Sequence, residues 1–336
     1  MSSNTVRGGT MSSRKLRWAG VRNRSHLAVR VLTIGLFVGV CVLFAAMSPI
    51  FLMPSNLLNI VRQTALLAIM SFGMVSVIIV THGEADMSVG GITGLSAAVA
   101  VVLLVRGAPT ALSILAAIAT GLAAGLLNGI LVTKVGLLPF LATLATMNMA
   151  MGLEQVLTKG TYVPFADPFI GFVANENFLG VPASAFLLLL VYLAFYSLLD
   201  HMPTGRKIYA IGGNLQAARA SGIDVAKYTV LTFALSGLSC GLAGVLLVGR
   251  LSGLTPLAAA PLLLDVLLAG YISSILSSVG APSVSGALFG AMLVGVLSNG
   301  LAVIRVPTFY VNLVKGLLII IVVAANALQR RRRSIS

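Results

Sequence analysis

Long apolar runs separated by short polar connections dominate the chain. Most runs are about 20 residues long, which is the length that an α-helix needs to cross about 30 Å of hydrocarbon. A transmembrane barrel would instead alternate apolar and polar residues along short segments. The pattern therefore predicts an all-α polytopic membrane protein with about ten transmembrane helices. The predicted spans are 31–52, 63–81, 89–106, 111–133, 138–158, 184–200, 228–249, 261–278, 284–304 and 308–327.

Composition supports the membrane class. Of the 336 residues, 58% are hydrophobic and only 9% are charged. Soluble domains average about 25% charged residues, so this chain has too few polar side chains to cover a water-facing surface. The long apolar run that ends at Leu52 also favours a first span over a cleaved signal peptide.

The positive charge is concentrated in three clusters beside apolar spans. Seven Lys and Arg residues precede Val31, four lie in 201–227, and four form Arg330–Arg333. Basic residues next to spans mark the cytoplasmic side, and this placement argues against nucleic-acid binding. The predicted organisation is a basic cytoplasmic tail, six spans, a cytoplasmic loop, four spans and a second basic cytoplasmic tail. Their bounds are 1–30, 31–200, 201–227, 228–327 and 328–336.

Glycine spacing predicts close helix packing. Small residues repeat every four positions at Gly121, Gly125 and Gly129, and again at Gly237 and Gly241. Such faces let helix backbones approach closely inside a membrane. The same spacing at Gly286 and Gly290 adds a third candidate packing face.

Acidic residues within or near spans are the main candidates for chemistry, because ionisable groups in hydrocarbon are costly. Glu84 and Asp86 lie between two spans, and Glu154 and Asp265 lie within or near spans. Asp86 has two open interpretations: it caps the following helix, or it contacts a translocated solute or a proton. Asp265 has a similar capping interpretation.

Asparagines in the spans also have two open interpretations. They bond a neighbouring helix, or they line a passage for a neutral hydroxylated solute. The asparagines concerned are Asn128, Asn148, Asn299 and Asn312.

Enzymatic motifs are absent from the sequence. There is no GxxxxGK[ST] phosphate-binding loop, no HExxH or GxSxG motif and no Cys/His cluster. Cys41 and Cys240 lie in apolar runs. We therefore expect no catalytic residue, no metal site and no cofactor, and no hydrolysis of nucleotide by the chain itself.

Four sequence blocks resemble one family, the permease subunits of binding-protein-dependent ABC importers that take up ribose, other monosaccharides and autoinducer-2. The blocks are THGEADMSVGGITGLSA (81–97), LLNGILVTKVGLLPFLATLATM (126–147), GRKIYAIGGNLQAARASGIDV (205–225) and GALFGAMLVGVLSNGLAVIRVPTFYVNLVKG (286–316). The third block is the most specific. Departures occur at Glu84, and at 270–273 and 278–281, where family glycines are replaced. They predict a divergent member.

The resemblance implies an ABC importer permease-like bundle with three kinds of partner. These are a cytoplasmic ATP-binding subunit, an extracytoplasmic sugar-binding protein and a second permease subunit. A short helix in the cytoplasmic loop would dock on the ATP-binding subunit, with Asn214 as its N-cap and Gly222 as its terminator.

The candidate residues form two sets: the resemblance assigns the coupling set, and the candidate substrate pathway combines residues of the matching blocks with the span asparagines. The coupling set is Gly212, Gly213, Asn214, Ala218, Arg219, Ser221 and Gly222. The candidate substrate pathway is Asp86, Ser88, Asn128, Phe140, Thr143, Asn148 and Asn299.

Two other classes remain open from the residues alone. An ion-coupled secondary transporter would use acids within the membrane, such as Glu84, Asp86 or Glu154. A channel or scaffold would need neither an ATP-binding subunit nor a binding protein.

Overall fold

The computed structural model describes residues 34–276 and 281–334, with the backbone alone for 326–334. The predicted tail 1–30, the start of the first span and Ser278–Gly280 lie outside the described residues, as do the side chains of Arg330–Arg333. The long helices are α1 (Ile34–Met47), α2 (Pro54–Val80), α3 (Val89–Val105), α4 (Thr110–Ile130, extended by a π turn to Val135), α5 (Pro139–Thr158), α7 (Ala183–Tyr196, extended by a π turn to His201), α10 (Val225–Leu251), α11 (Leu262–Leu276), α12 (Val284–Val303) and α13 (Thr308–Ser334).

Shorter elements lie at the two ends of the bundle. Helix α6 (Pro168–Asn175) begins at Asp167, whose carboxylate accepts bonds from two backbone N–H groups of the first turn. Helices α8 (Pro203–Gly213) and α9 (Leu215–Ala220) lie between α7 and α10. Four two-residue strands form two antiparallel pairs. They are β1 (Val163–Pro164) with β4 (Gly253–Leu254), and β2 (Asn177–Phe178) with β3 (Val181–Pro182).

The fold is the predicted all-α bundle of apolar helices. Among the described residues, six helices are long and apolar enough to cross a membrane, and three shorter apolar helices accompany them: α1, α3 and α11. Helix α5 has 20 residues but belongs to neither group. The number of ten spans therefore stays a prediction.

Helix α2 lies at the centre of the bundle. It contacts α10, α12, α11 and α7, and nearly every residue from Thr64 to Val80 is buried. It begins at Pro54, nine residues before the predicted start at 63. The polar side chains Asn56, Asn59 and Arg62 made the first two turns look like a connection, but each of them bonds a side chain of another element.

The predicted glycine faces pack as expected. A methyl group added at Gly121 would overlap the carbonyl oxygen of Gly237, and one added at Gly125 would lie 3.0 Å from the Cα of Gly237. Helices α4 and α10 therefore touch backbone to backbone. Gly290 lies in the same way against Ala269 of α11.

Two of the predicted segments contain helix, while the division of the chain into tails, spans and loop stays a prediction. The loop 201–227 is mostly helical, because α8 occupies its first half and buries Ile208 and Ile211 against the bundle. Helix α13 continues to Ser334, so it runs through most of the predicted tail at 328–336.

Candidate functional site

A buried polar network surrounds the connection between α2 and α3, residues 81–88, which we call the link. Asp86 is fully buried, and one carboxylate oxygen accepts bonds from the backbone N–H of Ser88, at 2.9 Å, and from the Ser88 hydroxyl. The other oxygen accepts a bond from the Ser236 hydroxyl of α10 at 2.7 Å. Helix α3 has no side-chain cap. The capping interpretation of Asp86 is therefore wrong: the carboxylate orders the link before α3 and ties it to α10.

Two more residues of the predicted pathway join this network. Asn128 of α4 donates its amide N–H to the Ser88 hydroxyl at 2.8 Å. The Thr143 hydroxyl of α5 accepts the Met87 backbone N–H at 3.1 Å. The structure thus brings together Asp86, Ser88, Asn128 and Thr143 from three parts of the chain: the link, α4 and α5. Sequence reasoning missed Ser236, since a serine in an apolar run has no distinctive signal.

Glu84 and Phe140 lie at the exposed edge of the same network. The Glu84 carboxylate accepts the backbone N–H of Phe140 at 3.3 Å, while the Phe140 ring remains 43% exposed. Glu84, which departs from the family pattern, therefore accepts a hydrogen bond from the first turn of α5.

Asn148 and Asn299 lie away from the link. Asn299 of α12 exchanges two 2.9 Å amide hydrogen bonds with Asn56 of α2, so it joins two helices. Asn148 lies at the middle of α5 with its side chain exposed, and it donates to the Leu144 carbonyl of its own helix at 2.8 Å. Gln155 is exposed on the same face of α5, two turns further along.

The remaining membrane acids have structural partners. Glu154 is buried over Gly94 of α3 and accepts the Leu257 backbone N–H at 2.8 Å. Asp265 of α11 forms an ion pair with Lys315 of α13, whose Nζ lies 2.7 Å from one carboxylate oxygen and 3.0 Å from the other. The capping interpretation of Asp265 is wrong. A lysine inside the apolar α13 segment was the signal for this pair, because a charge there needs a counter-charge.

Helices α8 and α9 divide the coupling set into buried and exposed members. The Asn214 side chain caps α9 by accepting the Ala217 N–H at 3.0 Å, and Gly222 follows α9 with a φ of 75°. Both features match the predicted start and end of the short helix. Ala218 is buried and Arg219 is exposed, so α9 presents Arg219 to solvent.

Gly212, Gly213 and Ser221 complete the coupling set. Gly212 packs closely against Ile79 of α2, whereas Gly213 has open space around it. The Ser221 hydroxyl donates to the Ala217 carbonyl at 2.9 Å, which completes the last turn of α9.

A tyrosine hydrogen bond and a cation–π contact hold helix α8 on the bundle. The Tyr209 hydroxyl donates to the Pro282 carbonyl at 3.0 Å, and the Lys207 ammonium lies 5.4 Å from the centroid of the Tyr228 ring. Burial, and then the nearby charge of Asp200, raise the pKa of Tyr209. The hydroxyl therefore stays a donor at physiological pH.

Two arginines lie together at the end of the bundle opposite α9. Arg62 donates to Asn177 at 2.8 Å, and Arg250 donates to Asn59 at 3.4 Å. In the described part of the chain neither forms an ion pair with a carboxylate, and Arg62 Nε and Arg250 Nη1 are buried without a hydrogen-bond partner. The pair therefore offers uncompensated positive charge. In the same part of the chain, no three His, Cys, Asp or Glu side chains group as metal ligands.

Comparison with known proteins identifies the family. The model of the permease component of branched-chain amino acid transport systems matches residues 56–323. The chain belongs to this permease family. The match covers all of the described helices except α1 and the ends of α2 and α13.

Individual relatives confirm the resemblance to sugar importer permeases. The ribose import permease protein of Bacillus subtilis is 38% identical over 86% of this chain and 90% of its own length. The ribose import permease protein of Escherichia coli K12 is 36% identical, over 84% and 88%. The D-allose transport system permease protein of the same strain is 33% identical, over 85% and 88%. No solved structure matches the chain.

Proposed function

We propose that this chain is the transmembrane permease subunit of an ATP-driven, binding-protein-dependent importer of a monosaccharide or a similar polyhydroxylated solute. The observation that carries the proposal is α9. It is a short, capped, exposed helix with Arg219 on its surface, at one end of a membrane bundle whose sequence lacks a phosphate-binding loop. The relatives named for ribose and allose favour a sugar as the solute.

The proposed topology places α8 and α9 in the cytoplasm of a bacterium and the bundle in its inner membrane. Ten spans then bring both termini to the cytoplasmic side, as the basic clusters predict. Helices α3 and α11 count as spans although each is shorter than 18 residues, because other helices bury much of their surface. The segment with α6 and the arginine pair then lies outside.

The exposed face of α5 is the proposed wall of the sugar passage. Asn148 and Gln155 expose amide groups on this face, and a methyl group added at Gly152 between them would touch nothing within 4 Å. Amides exposed to lipid would leave hydrogen-bonding groups unsatisfied. A second permease subunit facing α5 would enclose a wet passage, in which amides exchange hydrogen bonds with sugar hydroxyls.

The arginine pair is the proposed contact for the extracytoplasmic binding protein. Within the described ranges, neither Arg62 nor Arg250 has a carboxylate partner, and carboxylates on a docking protein would form charge-assisted bonds with them. In the assembled importer, replacing both with glutamine should weaken stimulation of ATP hydrolysis by the loaded binding protein. Hydrolysis without the binding protein should be unchanged.

Reconstitution tests the proposed function. The chain is placed in proteoliposomes with an ATP-binding subunit and a binding protein from the same operon, and labelled sugars are screened for uptake. Uptake should require all three components, and the chain alone should hydrolyse no ATP. Uptake by the chain alone, driven by an ion gradient, would favour the secondary transporter, and gradient-independent leakage would favour a channel.

A further inference from the structure

The contact between α8 and α2 depends on one glycine. Gly212 faces the last turn of α2, where an added methyl group would overlap the carbonyl oxygen of Ile79. A methyl group added at the next residue, Gly213, would have no atom within 4 Å. Two adjacent glycines at the end of α8 thus differ completely in their surroundings. Gly212 lets α8 touch the backbone of α2.

The last turn of α2 is continuous with the link. The Thr81 hydroxyl donates to the Val77 carbonyl at 2.7 Å and lies 2.6 Å from the Glu84 carbonyl. The backbone N–H of Gly83 donates to the Ile78 carbonyl at 2.9 Å. Hydrogen bonds therefore join the end of α2 directly to residues 81–84.

The link in turn contacts helices on several sides. The Glu84 carboxylate accepts a bond from α5, and the Asp86 carboxylate accepts one from Ser236 of α10. The Tyr271 hydroxyl of α11 donates to the Gly83 carbonyl at 3.1 Å. Ser88 bonds α4 through Asn128. Residues 81–88 therefore join the end of α2 to four other helices, including the proposed wall of the passage.

We infer that Gly212 is a positioning residue for transport. Its backbone contact with Ile79 transmits movement of the α8–α9 pair to the link, and through the link to α5. This inference rests on the proposed function, in which α9 docks on the ATP-binding subunit. The asparagine cap at 214 makes α9 follow directly on α8, since one residue separates the two helices. Movement of α9 would therefore reach α2 through the contact between Gly212 and Ile79.

The test compares Gly212→Ala with Gly213→Ala in the complete importer in proteoliposomes. Both changes add one methyl group near the end of the same helix, so their effects on helix propensity match. Gly212→Ala should still bind the ATP-binding subunit and hydrolyse ATP, but sugar uptake per ATP should fall about tenfold, a typical size for coupling between sites. Gly213→Ala should lower uptake per ATP much less, because its added methyl group meets no atom within 4 Å, and equal losses in the two variants would contradict the inference.

A second measurement covers the case in which Gly212→Ala does not assemble. Spin labels at Ala210 and His82, both at exposed positions, report the separation of α8 and the link in the otherwise wild-type importer. The inference predicts that the distance between the two labels is the same with and without ATP. A distance that changes with nucleotide, or normal uptake per ATP in Gly212→Ala, would overturn it. A wild-type importer that shows no ATP-dependent uptake would instead contradict the proposed function itself.

Discussion

Arg219 is the single residue on which the docking of α9 can be tested most directly. It is exposed on a helix whose other side is held by the buried Ala218. Reversing its charge should remove a charge-assisted contact with the ATP-binding subunit and place like charges together. Arg219→Glu should therefore abolish sugar uptake and recovery of the ATP-binding subunit with the permease, while the permease remains inserted.

Lys227→Glu is the matched control, because Lys227 is also exposed in the same loop but lies in the first turn of α10. If both variants lose uptake equally, or if Arg219→Glu keeps both properties, then Arg219 has no specific docking role and the loop only sets topology.

Residue roles could be predicted only where a local pattern carries them. Asn214 and Gly222 follow from the chemistry of helix ends, and the structure has both in place. The partners of Asp86 and Asp265 could not be predicted, because Ser236 and Lys315 lie far away in sequence. Gly212 and Gly213 look alike in sequence and differ only in tertiary contact.

An ion pair joins helix α13 to the bundle. Most of the described apolar side chains of α13 are exposed, whereas Lys315 is buried and paired with Asp265 of α11. Removing one partner leaves a buried charge without compensation, which costs about 3–5 kcal/mol, whereas replacing both can be nearly neutral. Lys315→Gln should therefore lower the thermal stability of the purified permease strongly.

The double variant Lys315→Gln with Asp265→Asn provides the control for this effect. It removes the charges but keeps hydrogen-bonding groups, so its melting temperature should recover most of the loss. Equal losses in the single and double variants would show that the ion pair contributes no specific interaction between α11 and α13.

Helix type and approximate position could be predicted from hydrophobicity, but helix ends could not. The start of α2 at Pro54 and the whole of α8 were missed for the same reason. Both segments carry polar residues whose partners belong to other elements, and a pattern read along one segment contains no information on those partners. The glycine faces of α4 and α10 were predictable because their spacing is itself the packing geometry.

The proposed passage is a property of the assembled molecule. In a variant without Cys41 and Cys240, Asn148→Cys should react with a small, charged, membrane-impermeant thiol reagent, because the exposed face of α5 would line water. Leu313→Cys is the control: its side chain is 66% exposed on α13, where it would face lipid. Saturating sugar and binding protein should slow labelling at position 148 only. Equal labelling at both positions would contradict the passage.

The topology is the last property that belongs to the whole molecule. Arg219 in α9 and Phe169 in α6 lie at opposite ends of the bundle in the proposed topology, and both are exposed. Phe169 is 60% exposed, so a cysteine at this position can react with a reagent in solution. The adjacent Ile170 is only 1% exposed and is unsuitable for labelling. The arrangement of basic residues predicts position 219 inside and position 169 outside. In the same cysteine-free variant, an impermeant reagent added to intact cells should label Phe169→Cys at once, and Arg219→Cys only after the membrane is opened. Helices α7, α8 and α9 separate the two positions, so one helix more or fewer crossing the membrane between them would place both on the same side. Labelling of both positions in intact cells would therefore contradict the ten-span arrangement. It would also contradict the proposed access of α9 to a cytoplasmic ATP-binding subunit.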